Sequence, residues 1–119
     1  MMQISELQSL IHSGKFCKND VMKCIFGLND IEVKIFCNIV EKDSDVMELA
    51  RKIKRDRATV QRVIRNLIAL GIVGRKSMNM KRGRKYVYFA VTSEALKEIL
   101  TARIDEYCKS LKNMVNLIK

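Results

Sequence analysis

The sequence predicts a mostly α-helical domain with one small β-hairpin, ending in a long helix built for dimerisation. Three observations carry that prediction. Apolar residues recur at helical spacing behind clear capping residues from Asn29 to Gly71, and two β-branched and aromatic runs then flank a polar, glycine-containing connection. From Ser93 onward the apolar residues alternate at spacings of four and three, the pattern of a coiled-coil seam. A chain of 119 residues that is 48% hydrophobic can bury one core and is short for a second independent domain.

Taken in order, residues 3–12 read as a short amphipathic helix with Ile4, Leu7, Leu10 and Ile11 on one side and Gly14 as its stop. A second short helix is expected to follow Asn19 or Asp20 and to end at Gly27. The best-marked helix start comes next. Asn29 can cap, Glu32 three residues later completes a capping-box pair, and Val33, Phe36, Cys37 and Val40 are expected to form the inward face. Ser44 or Asp45 opens "VMELARKI", with Val46, Leu49, Ala50 and Ile53 facing inward.

The turn "KRD" ends in Asp56, a good cap for "RATVQRVIRNLIALG". This helix has Val60, Val63, Ile64, Leu67, Ile68 and Leu70 as its apolar side and Gly71 as its stop. Its outer side carries Arg57, Thr59, Gln61, Arg62, Arg65 and Asn66. A short helix, a tight turn and a longer helix with a cationic outer face form the helix-turn-helix pattern.

"IVGRKS" and "KYVYFAVT" favour strands, and the connection between them contains "MKRGRK". The cationic cluster is therefore the tip of a hairpin, and a hairpin directly after a recognition helix is a wing. The fold class is a winged helix-turn-helix. Gly83 supplies the turn position that tolerates unusual backbone angles. Lys81, Arg82, Arg84 and Lys85 are expected to project toward flanking phosphates or a minor groove.

The remainder is a long helix capped by Thr92 or Ser93. Leu100, Ile104, Tyr107, Leu111, Met114 and Ile118 form its apolar seam, which either packs back on the first helix or pairs with a second chain. Pairing is the favoured reading. The organisation is then N-terminal short helices over residues 1–27, a winged helix-turn-helix over 28–92 and a dimerisation helix over 93–119.

The formal net charge is +10, and residues 51–85 concentrate it. They hold 13 of the 23 Lys and Arg but only one of the 13 acids, Asp56, a local net of +12. Such concentration is the footprint expected for a polyanionic partner, nucleic acid before membrane, since no lipid-binding amphipathic helix accompanies it. No run of about 18 apolar residues and no secretion signal is present, so a cytoplasmic protein is expected.

In that compartment Cys17, Cys24, Cys37 and Cys108 should be reduced, and they contain no CxxC pair. A reactive thiol, or a metal site joining Cys17, Cys24, His12 and Cys37, is the alternative to simple packing. No cofactor or metal is expected. Catalysis is not expected either, because His12 has no nucleophile and acid at recognisable spacing and no phosphate-binding glycine loop or HExxH motif occurs.

The order of parts, and the wording of "LNDIEVKIFCNIVEK" and "VMELARKIKRDRATVQRVIRNLIALGIVGRK", resemble the DNA-binding domain of TrmB-like archaeal transcription regulators, relatives of the MarR and ArsR groups. "DRATVQRVIRNLIALGIV" is the most specific portion. The resemblance, covering roughly residues 28–92, implies that Thr59, Gln61 and Arg62 face a DNA groove and that Lys81 to Lys85 lie on the wing. Long family members carry a C-terminal sugar-binding domain, and sugar sensing is not carried over to a chain that ends after one helix.

Together these readings give a homodimeric regulator of double-stranded DNA, expected on an inverted repeat. Arg57, Thr59, Gln61, Arg62 and Asn66 are the base-contacting candidates, and Lys54, Arg55, Arg65, Lys81, Arg82, Arg84 and Lys85 the backbone-holding ones. The alternatives are a winged-helix module for an acidic protein surface, or a chromatin-like or RNA-binding protein without sequence preference. No effector class is implied by the residues.

Overall fold

A computed structural model describes Ser5 and residues 18–119. The expected helix over residues 3–12, with His12 and Cys17, lies outside the described residues apart from Ser5.

The described elements run α1 (Lys18–Phe26), α2 (Asp30–Glu41), α3 (Val46–Ile53), α4 (Arg57–Ala69), β1 (Val73–Met80), β2 (Gly83–Ala90) and α5 (Ser93–Asn116). Helix α1 begins before both of its expected caps, taking Asn19 and Asp20 inside the helix. The other caps fall where local chemistry puts them. Asn29 and Glu32 exchange side-chain-to-backbone hydrogen bonds at 2.9 and 3.1 Å, closing a capping box at the start of α2. Asp45 accepts from the Glu48 N–H, Asp56 from the Thr59 N–H and Thr92 from the Ala95 N–H, at 2.8, 3.2 and 3.2 Å.

Helix α4 ends in a Schellman motif. The Gly71 and Ile72 N–H groups donate to the Ile68 and Leu67 carbonyls at 2.9 and 3.2 Å, with Gly71 at φ +83°. Ile72 and Leu67 are both fully buried, supplying the apolar contact that goes with this motif. The chain leaves α4 directly into the hairpin.

The core is continuous from α1 to the start of α5. Phe36, Ile35 and Ile39 of α2, Leu49 and Ile53 of α3, and Val60, Val63, Ile64 and Leu67 of α4 meet Ile72, Val73 and Leu96. Each fully buried aliphatic side chain is worth about 1.5–3 kcal/mol relative to exposure. One expectation on α2 is corrected. Val40 is exposed and Cys37 half-buried, while Ile35 and Ile39 take the deep positions. Helix α2 is central, packing on α1, α3, α4 and β2, so its buried arc is rotated from the one a two-body amphipathic reading gives.

The hairpin is antiparallel in register Val73↔Ala90 to Met80↔Gly83. A third, one-residue strand joins it: Ser44 and Tyr88 exchange backbone hydrogen bonds of 3.1 and 2.9 Å, tying the segment before α3 to β2. A helix, a bridge, a helix-turn-helix and a hairpin in that order are a winged helix. Helix α5 is the long extension, and the molecule measures 65 × 26 × 26 Å.

Candidate nucleic-acid interface

Helix α4 is the candidate reader. Its buried residues Val60, Val63, Ile64 and Leu67 fix its rotation. At 100° per residue, the line opposite them runs through Ala58, Arg62, Arg65 and Ala69. Arg57 and Gln61 flank that line toward the wing, and Thr59 and Asn66 flank it toward α2. No Asp or Glu occurs between Asp56 and Glu94, so this face meets no carboxylate from its own helix.

Two of the expected base-contacting side chains are already engaged. The Thr59 hydroxyl donates to Asp56 Oδ1 at 2.6 Å, which holds the Asp56 carboxyl below its usual pKa. The Asn66 amide donates to Glu32 Oε2 at 2.6 Å. Glu32 thus closes its own helix cap with one oxygen and grips the recognition helix with the other. Arg57, Gln61, Arg62 and Arg65 are exposed.

Ala58 was missed by sequence reading because it carries no polar group. It sits on the outermost line, where a methyl side chain permits close backbone approach and can touch a thymine methyl. Arg51 and Lys52, exposed on α3, were also passed over; they extend the cationic surface on the helix that precedes the reader.

The turn between α3 and α4 places Lys54 at the C-cap of α3 in the left-handed region, φ 60°, with both Lys54 and Arg55 exposed. The hairpin tip is tighter than the sequence suggests. Strand pairing continues to Met80 and Gly83, so only Lys81 and Arg82 form the turn, followed by Gly83 at φ +102°. Arg84 and Lys85 therefore belong to strand β2 and point to opposite faces of the hairpin.

That alternation separates their roles. Lys85 pairs with Asp45 at 2.5 Å, and Lys76 on the same face pairs with Asp43 at 2.9 Å. Burial disfavours ionisation of Asp45, but the Lys85 ammonium and the Glu48 N–H outweigh it and hold the carboxyl below the usual range. The hydrogen bond to Asp45 in turn raises Lys85. On the other face the Arg75 guanidinium lies 4.4 Å from the Tyr86 ring centroid. Lys81, Arg82 and Arg84 have no such partner among the described residues.

Reader and wing meet in one groove of about 420 Å³, lined by Arg57 and Gln61 of α4, Arg84, Lys85, Tyr86 and Tyr88 of β2, and Asp45, Val46 and Met47. A cationic surface thus runs without a break from the exposed line of α4 to the wing. In the seam of α5, Leu100 is half-buried and packs against the domain's own core. Exposure then rises from 43% at Ile104 to 76% at Ile118, with Leu111 and Met114 between them. Tyr107 sits at the inner edge, its hydroxyl donating to the Ile25 carbonyl at 3.0 Å.

The family described as the sugar-specific transcriptional regulator TrmB matches residues 22–94, well over half of the chain. The chain belongs to the TrmB family. Among relatives, an uncharacterized protein of Methanocaldococcus jannaschii is 33% identical over 106 residues, 88% of each chain. A possible transcriptional regulator from Methanosarcina mazei superposes with a TM-score of 0.73 at 22% identity, covering 85% of this chain and 88% of that one. An S. aureus MepR mutant, solved bound to an oligodeoxyribonucleotide, shares the fold at a TM-score of 0.53 and 16% identity, over all of this chain and 86% of its own. The TrmB match begins inside α1 and ends at the second residue of α5, so it frames the winged helix described above. The protein is a winged-helix transcription regulator of the TrmB family, and none of its described helices is long and apolar enough to cross a membrane.

Proposed function

We propose that this TrmB-family protein is a sequence-specific regulator that binds double-stranded DNA as a homodimer on an inverted repeat. The observation that carries the reading is the joining of the acid-free outer line of α4 to the wing through the Arg57, Gln61 and Arg84 groove. Helix α4 enters the major groove, where Arg62 and Arg65 offer two parallel donors to a guanine edge. Arg57 and Gln61 read beside them. Thr59 and Asn66 act from behind, one stiffening the cap of α4 and the other holding its angle against α2.

Lys54 and Arg55 at the turn, with Lys81, Arg82 and Arg84 of the wing, hold phosphates on either side. The exposed apolar row Ile104, Leu111, Met114 and Ile118 supports pairing of α5 with a second copy, because a stripe of that length left in water is unfavourable.

Selection of bound genomic fragments at moderate salt tests the proposal. Enrichment of an inverted-repeat motif is the expected result. Retention of DNA without a motif supports a chromatin-like protein instead, and no retention supports a module for acidic protein surfaces.

A further inference from the structure

Helix α5 is held to the rest of the chain at one late point before it runs free. Arg103 and Tyr107, one turn apart on α5, both reach the C-terminal end of α1. The Arg103 guanidinium carbon lies 5.0 Å from the Phe26 ring centroid, and the Tyr107 hydroxyl donates to the Ile25 carbonyl at 3.0 Å. Ile25 lies in the last turn of α1, where backbone carbonyls have no partner within the helix, so the phenol fills an acceptor the helix leaves open. Every residue of α5 beyond Arg103 is exposed.

We infer that Arg103 and Tyr107 are positioning residues that set the spacing between DNA half-sites. The inference rests on the dimeric reading above. If two copies join through the distal part of α5, the angle at which α5 leaves the winged helix fixes how far apart the two α4 helices lie. From Arg103 to Asn116 the helix runs about 20 Å, and a swing of about 10° over that length moves its end by about 3.5 Å, close to the rise of one base pair. A cation over a ring and a hydrogen bond one turn further on are two separate restraints, which together fix a direction that either alone leaves free to pivot.

The experiment uses the full chain and duplexes carrying the selected half-site as inverted repeats whose spacer changes in single base-pair steps. The unmodified protein is expected to show one sharp optimum, about tenfold or more above spacers one base pair away. Combined Arg103→Ala and Tyr107→Phe should flatten that optimum to about threefold or less while sedimentation still shows a dimer, because the Phe ring remains. Tyr107→Phe alone, which removes one hydroxyl and little stability, should move in the same direction, and Arg103→Lys, which keeps a cation over Phe26, should retain most of the preference.

Equal weakening at every spacing would show that these residues only support the fold and overturn the inference. An unchanged sharp optimum in the double variant would also overturn it. An unmodified protein that binds single half-sites as a monomer, without spacer preference, removes the dimeric reading itself and is distinguishable from either result.

Discussion

Lys85 of β2 lies 2.5 Å from Asp45, the residue that caps α3, so one carboxylate ties the wing to the first helix of the helix-turn-helix. The same carboxylate accepts from the Glu48 N–H at 2.8 Å. Lys85 is therefore a brace, although its neighbours in "MKRGRK" are free to meet DNA. Lys85→Ala should weaken DNA binding by letting the wing move, with the slope of log affinity against log salt unchanged. Arg82→Ala and Arg84→Ala should each lower that slope by about one, the signature of a lost phosphate contact. Binding isotherms at four or five salt concentrations distinguish the two, and a slope loss for Lys85→Ala would return it to the phosphate-holding set.

The brace should be indifferent to pH across the neutral range. Asp45 is depressed in the folded protein, so its contribution is complete above the unfolded carboxylate value of about 3.9 and is lost as pH falls through the lower folded value. Lys85 is raised, so its contribution is complete below about 10.4 and is lost only as pH rises past its folded value. Chemical shifts of the hairpin amides should stay flat from about pH 5 to 9. A titration midpoint inside that window, reported by Lys76, Lys85 or Tyr88 amides, would mean that the pair does not hold the wing.

Much of the fold was legible because its signals are local. The capping box of Asn29 and Glu32, the Asp56 cap and the Gly71 stop each lie within five residues of the groups they serve, and all sit in the structure as the sequence implies. What escaped was tertiary. Glu32 and Asn66 are 34 residues apart, Tyr107 and Ile25 are 82 apart, and neither pairing leaves a periodic trace. The rotation of α2 that exposes Val40 follows from its contacts with three helices and a strand, which no single-helix pattern encodes. Arg84 and Lys85 looked equivalent until the strand register put them on opposite faces.

The charge count makes a bulk prediction. If a dimer neutralises about six to ten phosphates, affinity should fall by about 10³ to 10⁵ between 50 and 200 mM salt. A nearly flat profile in the same titration would argue against a nucleic-acid partner and for a protein surface read by shape.

The α5 seam should be sensitive to charge where it is most exposed. Ile104→Lys with Leu111→Lys places cations in the proposed interface, and sedimentation should then show monomers with much weaker operator binding, since each half loses its tethered neighbour. Leu100 is a useful contrast. It packs on the core, so Leu100→Ala should cost about 2–5 kcal/mol of folding stability at most while leaving the dimer intact. A dimer that survives both lysines would locate the pairing surface elsewhere on the chain.

The outer line of α4 separates base reading from anchoring. Arg62 and Arg65 lie on the line opposite Val60, Ile64 and Leu67, where an arginine can present two hydrogen bonds to a guanine edge worth about 1–3 kcal/mol of discrimination. Arg62→Ala should therefore relax sequence preference at one position in each half-site, while binding to scrambled duplexes changes little beyond the loss of one charge. Arg65→Ala should relax a neighbouring position, because the two residues stand one turn apart on the same line. Asn66→Ala should act differently: removing the amide frees Glu32 and loosens the angle of α4, so specific and scrambled binding should weaken together. Competition assays with both duplexes measure all three variants side by side. If Arg62→Ala and Arg65→Ala weaken the two duplexes equally while Arg82→Ala alone loses specificity, then α4 is the anchor and the wing tip reads a minor groove.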